Sequence, residues 1–536
     1  MTEPHFIGID VGTGSARAGV FTASGTMLGV GKHDIALHQA AGDIAEQSSD
    51  DIWRAVSTSV RAALAQSTVD PASVKGIGFD ATCSLVVVDG EGGPLPVGDA
   101  PDRNIIVWMD HRATLQAERI NAIGHPVLAY VGGTISPEME TPKLLWLKEN
   151  RPQTYAKAWQ FFDLADYLTW RATGSLARSI CTLTCKWTYL GHEGRWDPSY
   201  FDAIGLGDLA AEGFRRIGAE VVPGGTALSG GLSAQAAADF GLPAGTAVGA
   251  GLIDAHAGGI GTVGASGGQG TAQSRMAYVF GTSACTMVST TDPVFVPGVW
   301  GPYYSAMVPG LWLNEGGQSA AGAAIEQLVQ YHPASGAARE LATAAGLPMV
   351  AWLAREADRR GGAARLPELV GAIHVVPEFL GNRSPHADPA ARALIAGLGM
   401  DGGLETLIGL YLAGVASLGY GVAQIIAAQA GRQAGAIETI VVSGGAADST
   451  LIRQILADSI GVPVAATVAN EPVLVGAAIL GAVAYGQFSS AIDAMASMSS
   501  LAQTYQPSHA VQLWHAQRRE AFAVLQSAAK LAHIAS

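Results

Sequence analysis

The sequence predicts an α/β protein built from two related lobes. Two observations carry this expectation. Short apolar strands alternate with helix-period segments through the first part of the chain. One unusual turn also occurs twice, half a chain apart. In its first copy residues 5–11 (HFIGIDV) run into Gly12-Thr13-Gly14-Ser15, and residues 16–21 (ARAGVF) return. In its second copy residues 276–280 (MAYVF) run into Gly281-Thr282-Ser283, and residues 284–289 (ACTMVS) return. A turn of glycines and hydroxyl residues presents N–H and O–H groups with little side-chain bulk.

The remaining elements follow in order. Ala23-Ser24-Gly25 is ordinary hairpin chemistry leading into residues 27–32. Residues 51–66 have helical periodicity, 75–79 form a short buried strand, and 85–89 a further strand closed by Asp89-Gly90. Near the end, strand 437–442 (IETIVV) meets Ser443-Gly444-Gly445-Ala446-Ala447-Asp448-Ser449, and an amphipathic helix follows at 450–460. A strand, a Gly-Gly loop and a helix N-terminus make a favourable nucleotide site, although a tight strand-to-helix connection reads the same way.

Composition narrows the function. The 536 residues suffice for two to four domains. Hydrophobic residues make up 49% and charged residues only 14%, which excludes a solvated, disordered chain. The net charge is −14 and no Lys/Arg run occurs, so no nucleic-acid partner is expected. Backbone N–H groups still permit a local phosphate site. The scattered Cys83, Cys181, Cys185 and Cys285 suggest neither a disulfide framework nor a completed zinc motif, and are read as buried thiols. Residues 406–431 and 472–492 carry no charge and are long enough to cross a bilayer, but are diluted by polar residues and glycine. They are read as buried helices, with no membrane partner. Asp10 interrupts the first apolar stretch, so no signal peptide and a cytoplasmic location are expected. Walker A and paired HxxxH patterns are absent from the sequence, and no GxSxG stands between a strand and a helix as a nucleophile elbow does.

Taken together, three segments resemble the FGGY carbohydrate kinases. They are Gly8-Ile9-Asp10-Val11-Gly12-Thr13-Gly14-Ser15-Ala16-Arg17, then Gly281-Thr282-Ser283, and finally Ser443-Gly444-Gly445 with Glu471-Pro472-Val473-Leu474-Val475-Gly476 behind it. The resemblance spans roughly residues 5–498. It narrows to the pentulose kinases, and to their D-ribulokinase branch, through Gly78-Phe79-Asp80-Ala81-Thr82-Cys83-Ser84, Trp108-Met109-Asp110-His111-Arg112, Cys185-Lys186-Trp187, Ile253-Asp254-Ala255-His256 and Asn314-Glu315-Gly316. Gly381-Asn382-Arg383-Ser384-Pro385 agrees with it.

The resemblance implies a two-lobed actin-like (ribonuclease H-like) fold with the active site in the interlobe cleft. The lobes are expected at 1–262 and 263–536. It implies ATP and Mg²⁺, a small ketopentose substrate and the product 5-phosphate, with D-ribulose favoured over L-ribulose or a pentitol. A non-catalytic ATP-binding scaffold is the rival of another class. A homodimer is compatible with the family. Asp254 is expected as general base and Asp10 as the carboxylate on the Mg²⁺ side. Gly12, Thr13, Gly14, Ser15, Gly281, Thr282 and Ser283 would meet the phosphates, and Gly444, Gly445 and Ser449 the adenosine. Arg17 either adds positive charge there or serves as a structural ion-pair partner. Ala81, Trp108, Asp110, Lys186, Asp254 and Glu315 would form the sugar pocket, with Glu315 reaching in from the second lobe. His256 is read as a supporting residue rather than the base. Ser449 stands where the family usually carries Asn, which puts one adenosine contact in doubt.

Overall fold

The computed structural model describes residues 3–41, 43–430, 435–445 and 448–534. Each lobe is organised around a six-stranded mixed sheet. In the first, His5–Val11 and Ser15–Thr22 form the antiparallel hairpin, and Met27–Asp34 adds a third antiparallel strand. On its other side His5–Val11 pairs in parallel with Val74–Ala81. That strand is flanked in turn by Ala247–Val248 and Leu252–Ile253.

The second sheet repeats the plan. Arg275–Phe280 and Ala284–Thr290 form the hairpin, and Trp312–Gln318 is the third antiparallel strand. Thr439–Gly444 and Val464–Ala466 continue it in parallel on the other side. Trp300–Tyr304 adds an outer strand. The repeated turn therefore belongs to a repeated topology. One expected strand lies elsewhere: Leu85–Val88 joins a separate five-stranded sheet, where both of its neighbours are antiparallel.

The first charge-free stretch folds as a helix inside the protein; the second does so only as far as Tyr485, after which residues 486–490 leave the helix and are partly exposed. Leu404–Ala430 lies in the core of the second lobe, with the run Leu407–Tyr420 buried. Residue 431, the end of that stretch, lies outside the described residues. Pro472–Tyr485 has apolar residues all around because all sides of its central part, Leu474 to Ala482, are covered. Proline opens it without losing a needed N–H, and Gly486 closes it in the left-handed region. This helix comes late in the chain, yet packs on the first sheet and on helix Asp254–Val263. Glycine permits the approach. A Cβ on Gly8 would sit 2.0 Å from the Leu474 carbonyl oxygen, and one on Gly476 would sit 1.9 Å from that of Ala257. The backbone of one helix is thereby locked against the strand and the helix that carry Asp10 and Asp254.

Candidate active site

Three neighbouring strands of the first sheet carry an aspartate beside their C-terminal ends. Asp10 lies opposite Asp80 in the parallel ladder, and Leu252 and Ile253 lie opposite Asp80 and Ala81. Asp254 is the next residue, the first of helix Asp254–Val263. Asp10 is buried and held by Arg17, whose Nε donates to Oδ2 at 2.9 Å and whose second terminal nitrogen contacts the same oxygen. The other end of that guanidinium donates to Glu471 at 2.7 Å. Arg17 thus joins the strand end to the start of helix Pro472–Tyr485, in the ion-pair role that the sequence left open.

Asp80 is wholly buried, and neither carboxyl oxygen accepts a hydrogen bond from a described residue. Burial first, then the charges of Asp10 and Asp254, push its carboxyl well above the carboxylate range. The sequence reading passed over it. The signal was there, in the parallel triplets Gly8-Ile9-Asp10, Gly78-Phe79-Asp80 and Leu252-Ile253-Asp254.

Asp254 is partly open to the cleft and accepts from the Ala255 N–H at 2.7 Å. Burial and the Asp10 charge raise it to about 6, a value suited to proton transfer near neutrality. Lys186, last residue of helix Ile180–Lys186, acts on both Asp254 and Glu315. Its ammonium lies 5.7 Å from the centre of the Trp300 ring and has no hydrogen-bond or ion-pair partner among the described residues. Burial opposes its charge, but Cys83, Glu315, Tyr303 and Glu138 hold its pKa well above the ordinary value. Glu315 comes from the second sheet, on strand Trp312–Gln318. Burial would raise its carboxyl. The hydrogen bond from His256, with the charges of His256, Lys186 and Arg383, outweighs burial and brings it down to about 2.

Other expected sugar contacts are placed differently. Ala81 is fully buried at its strand end, between Val11 and Ile253. Trp108 donates its indole N–H to Thr13 Oγ1 at 2.9 Å, which ties it to the first glycine turn. Asp110 is not brought to the cleft. It is fully buried, and its oxygens are taken by the Ala45 N–H at 2.7 Å and by three Arg112 nitrogens at 2.7–2.9 Å. A carboxylate so saturated has no oxygen left to orient a sugar.

The glycine turns leave open space on their Cβ sides. Gly12, Gly14 and Gly281 all lie outside the left-handed region. A Cβ would meet only Ser15 O at 3.7 Å from Gly12 and Ser283 O at 3.5 Å from Gly281, and nothing within 4 Å from Gly14. Neither backbone conformation nor internal packing demands glycine there, and the turns leave room for a group to approach the backbone closely. Ser15 and Ser283 close the two turns, accepting from the Gly12 N–H at 3.1 Å and the Gly281 N–H at 2.9 Å. Thr282 is exposed, and its carbonyl accepts the N–H groups of Ala321 and Ala323 at the start of helix Gly322–Tyr331.

The third glycine site adjoins the second turn, because Phe280 and Gly444 are ladder partners. Gly444 has φ +76°, and its Cβ would lie 2.2 Å from the Phe280 carbonyl oxygen. Gly445 donates to that carbonyl at 3.0 Å and leaves open space on its own Cβ side. Ser449 is committed locally, capping helix Thr450–Ile460 by accepting from the Ile452 N–H at 3.3 Å. Ala446 and Ala447 of this loop lie outside the described residues.

Two mixed α/β lobes, with glycine turns from both and carboxylates at the strand ends between them, define a two-lobed phosphotransferase. The chain belongs to the FGGY family of carbohydrate kinases: residues 5–261 match the family's N-terminal domain and residues 276–485 its C-terminal domain. It is therefore a sugar kinase, a phosphotransferase with an alcohol group as acceptor. An FGGY carbohydrate kinase domain-containing protein of Danio rerio is 45% identical, with 97% of each chain covered. A D-ribulokinase of Saccharomyces cerevisiae is 38% identical over 90% of this chain and 72% of its own length. A xylulose kinase from Rhodospirillum rubrum, 19% identical, shares the fold with a TM-score of 0.79 over 99% of both chains.

Proposed function

We propose that this kinase phosphorylates a ketopentose with ATP, and that its substrate is D-ribulose, giving D-ribulose 5-phosphate. The observation that carries the reading is one cluster: Asp254 lies within electrostatic reach of Lys186 and His256, and Lys186 and His256 both act on Glu315. A partly open carboxylate, an unpaired ammonium and a second carboxylate suit a small polyhydroxylated ketone. The D-ribulokinase relative supports the choice of sugar.

In this reading Lys186 donates to, and Glu315 accepts from, oxygens of the sugar. Asp254 accepts the proton of the attacking hydroxyl as the O–P bond forms, and ADP leaves with the electrons of the broken bond. The turns at Gly12–Ser15 and Gly281–Ser283 receive the phosphates, and Gly444 and Gly445 border the adenosine. The donor set at the strand ends fits Mg²⁺. Asp10 is a hard carboxylate donor, while Asp80 beside it is raised well above the carboxylate range and stands as a neutral acid; no cluster of three or more His, Cys, Asp or Glu that could hold a metal ion occurs among the described residues. One carboxylate, waters and phosphate oxygens are what Mg²⁺ takes in such sites. When bound, it would neutralise phosphate charge during transfer. ADP release measured across ketopentoses and pentitols tests the proposal. D-ribulose should give the highest kcat/KM, with phosphate on O5 of the product. Turnover of no sugar in the panel would favour an ATP-binding scaffold.

A further inference from the structure

His256 is 1% exposed and sits between the lobes with both ring nitrogens engaged. Its Nδ1 lies 3.1 Å from the Cys181 sulfur, and its Nε2 lies 3.4 Å from Glu315 Oε2. The sulfur in turn accepts from the Ile253 N–H at 3.4 Å. This chain runs from the strand end that precedes Asp254, through helix Ile180–Lys186, and across to the second sheet.

The contacts determine where the ring carries its hydrogen. Glu315 is a carboxylate and can only accept, so in the neutral ring the hydrogen sits on Nε2 and Nδ1 is left without one beside the Cys181 sulfur. In the imidazolium, Nε2 also carries a hydrogen. Either state donates to the carboxylate. The Nδ1 lone pair is buried against the Cys181 sulfur, out of reach of a substrate proton, so His256 is not a competing base. Asp254 lies two residues earlier on the same helix, an offset of about 200° around the axis. The same short segment therefore serves both the base and the sugar ligand. Cys185 and Lys186 also face the ring, and Asp254 feels its charge.

We propose that His256 is a positioning residue of the sugar site: it presents Nε2–H to Glu315 across the lobes and holds that carboxylate where a sugar hydroxyl meets it. The proposal rests on the reading of Glu315 as a sugar ligand, and its test separates the two. Side-chain ¹⁵N NMR of the full-length, sugar-free protein should show the neutral His256 ring protonated on Nε2. Glu315→Gln should shift that resonance. An Nδ1–H tautomer, or a resonance indifferent to Glu315→Gln, would overturn the proposal whatever the enzyme's substrate.

Kinetics give the second arm. His256→Leu should raise the KM for the ketopentose about tenfold or more, while the KM for ATP and kcat stay within roughly threefold. His256→Gln, whose amide N–H can still reach Glu315, should recover most of the loss. An unchanged sugar KM in His256→Leu, or no recovery in His256→Gln, contradicts positioning. If the wild-type protein phosphorylates no ketopentose, the functional reading fails and the NMR arm alone decides the role of His256. The same arm decides it if His256→Leu does not fold.

Discussion

Gly281→Ala should leave folding intact and damage nucleotide binding. The new methyl would find only Ser283 O, at 3.5 Å, an ordinary contact, on a backbone outside the left-handed region. Removing glycine's freedom from the unfolded chain then stabilises the fold by about 0.4–1 kcal/mol. The same methyl occupies the space where a phosphate would approach the turn. Losing one hydrogen bond to a charged group costs about 1.5–3 kcal/mol, roughly 10–150-fold in affinity. Gly476→Ala is the opposite case. Its methyl would stand 1.9 Å from a backbone oxygen of helix Asp254–Val263, so it should destabilise by about 1–3 kcal/mol or more. The assay is calorimetry on each variant: thermal unfolding, then ADP titration at fixed Mg²⁺. A Gly281→Ala protein of wild-type stability that binds ADP as well as wild type would refute the argument that this glycine is reserved for a ligand.

Three further outcomes follow from the same geometry. Lys186→Ala should raise the sugar KM about 10–150-fold without changing ADP affinity by calorimetry, because it deletes the unpaired ammonium beside Asp254 and Glu315. Since burial and Asp10 hold the Asp254 carboxyl near 6, kcat/KM in a pH series should be full above that value and fall as pH drops through it, as the base takes a proton. A profile flat down to pH 5 would contradict this. Arg17→Lys should lower kcat and raise the Mg²⁺ needed for half-maximal rate, since a point charge cannot hold Asp10 and Glu471 together as the guanidinium does. Arg17 is about one-third exposed, so thermal stability should change by less than about 1 kcal/mol.

Much of the cleft was legible because its parts are local patterns. The two strand–turn–strand units and the Gly-Gly loop are each contiguous, and the ladder pairing Phe280 with Gly444 brings two of them side by side. What depends on distant partners was harder to read. Asp110 looked like a sugar ligand, but Arg112 folds back onto it and Ala45 takes the remaining capacity. Ser449 is expected at the adenosine, and its hydroxyl oxygen also accepts as the cap of the helix that starts beside it, a contact its sequence position alone does not show. Helix Pro472–Tyr485 shows no amphipathic period because every side of its central part is covered, so nothing in its sequence tells which lobe it packs on. Asp80 was passed over although its triplet repeats those of Asp10 and Asp254. Only the parallel register places it between them.

The account turns on Asp254 as the group that takes the acceptor proton. Single-turnover transfer from ATP to D-ribulose by Asp254→Asn, with both substrates saturating, measures that step directly. The amide keeps the side chain's shape but cannot accept the proton at neutral pH, so the rate should fall about 10²–10⁴-fold while ADP affinity and thermal stability stay near wild type. Transfer within a few-fold of the wild-type rate would contradict the account.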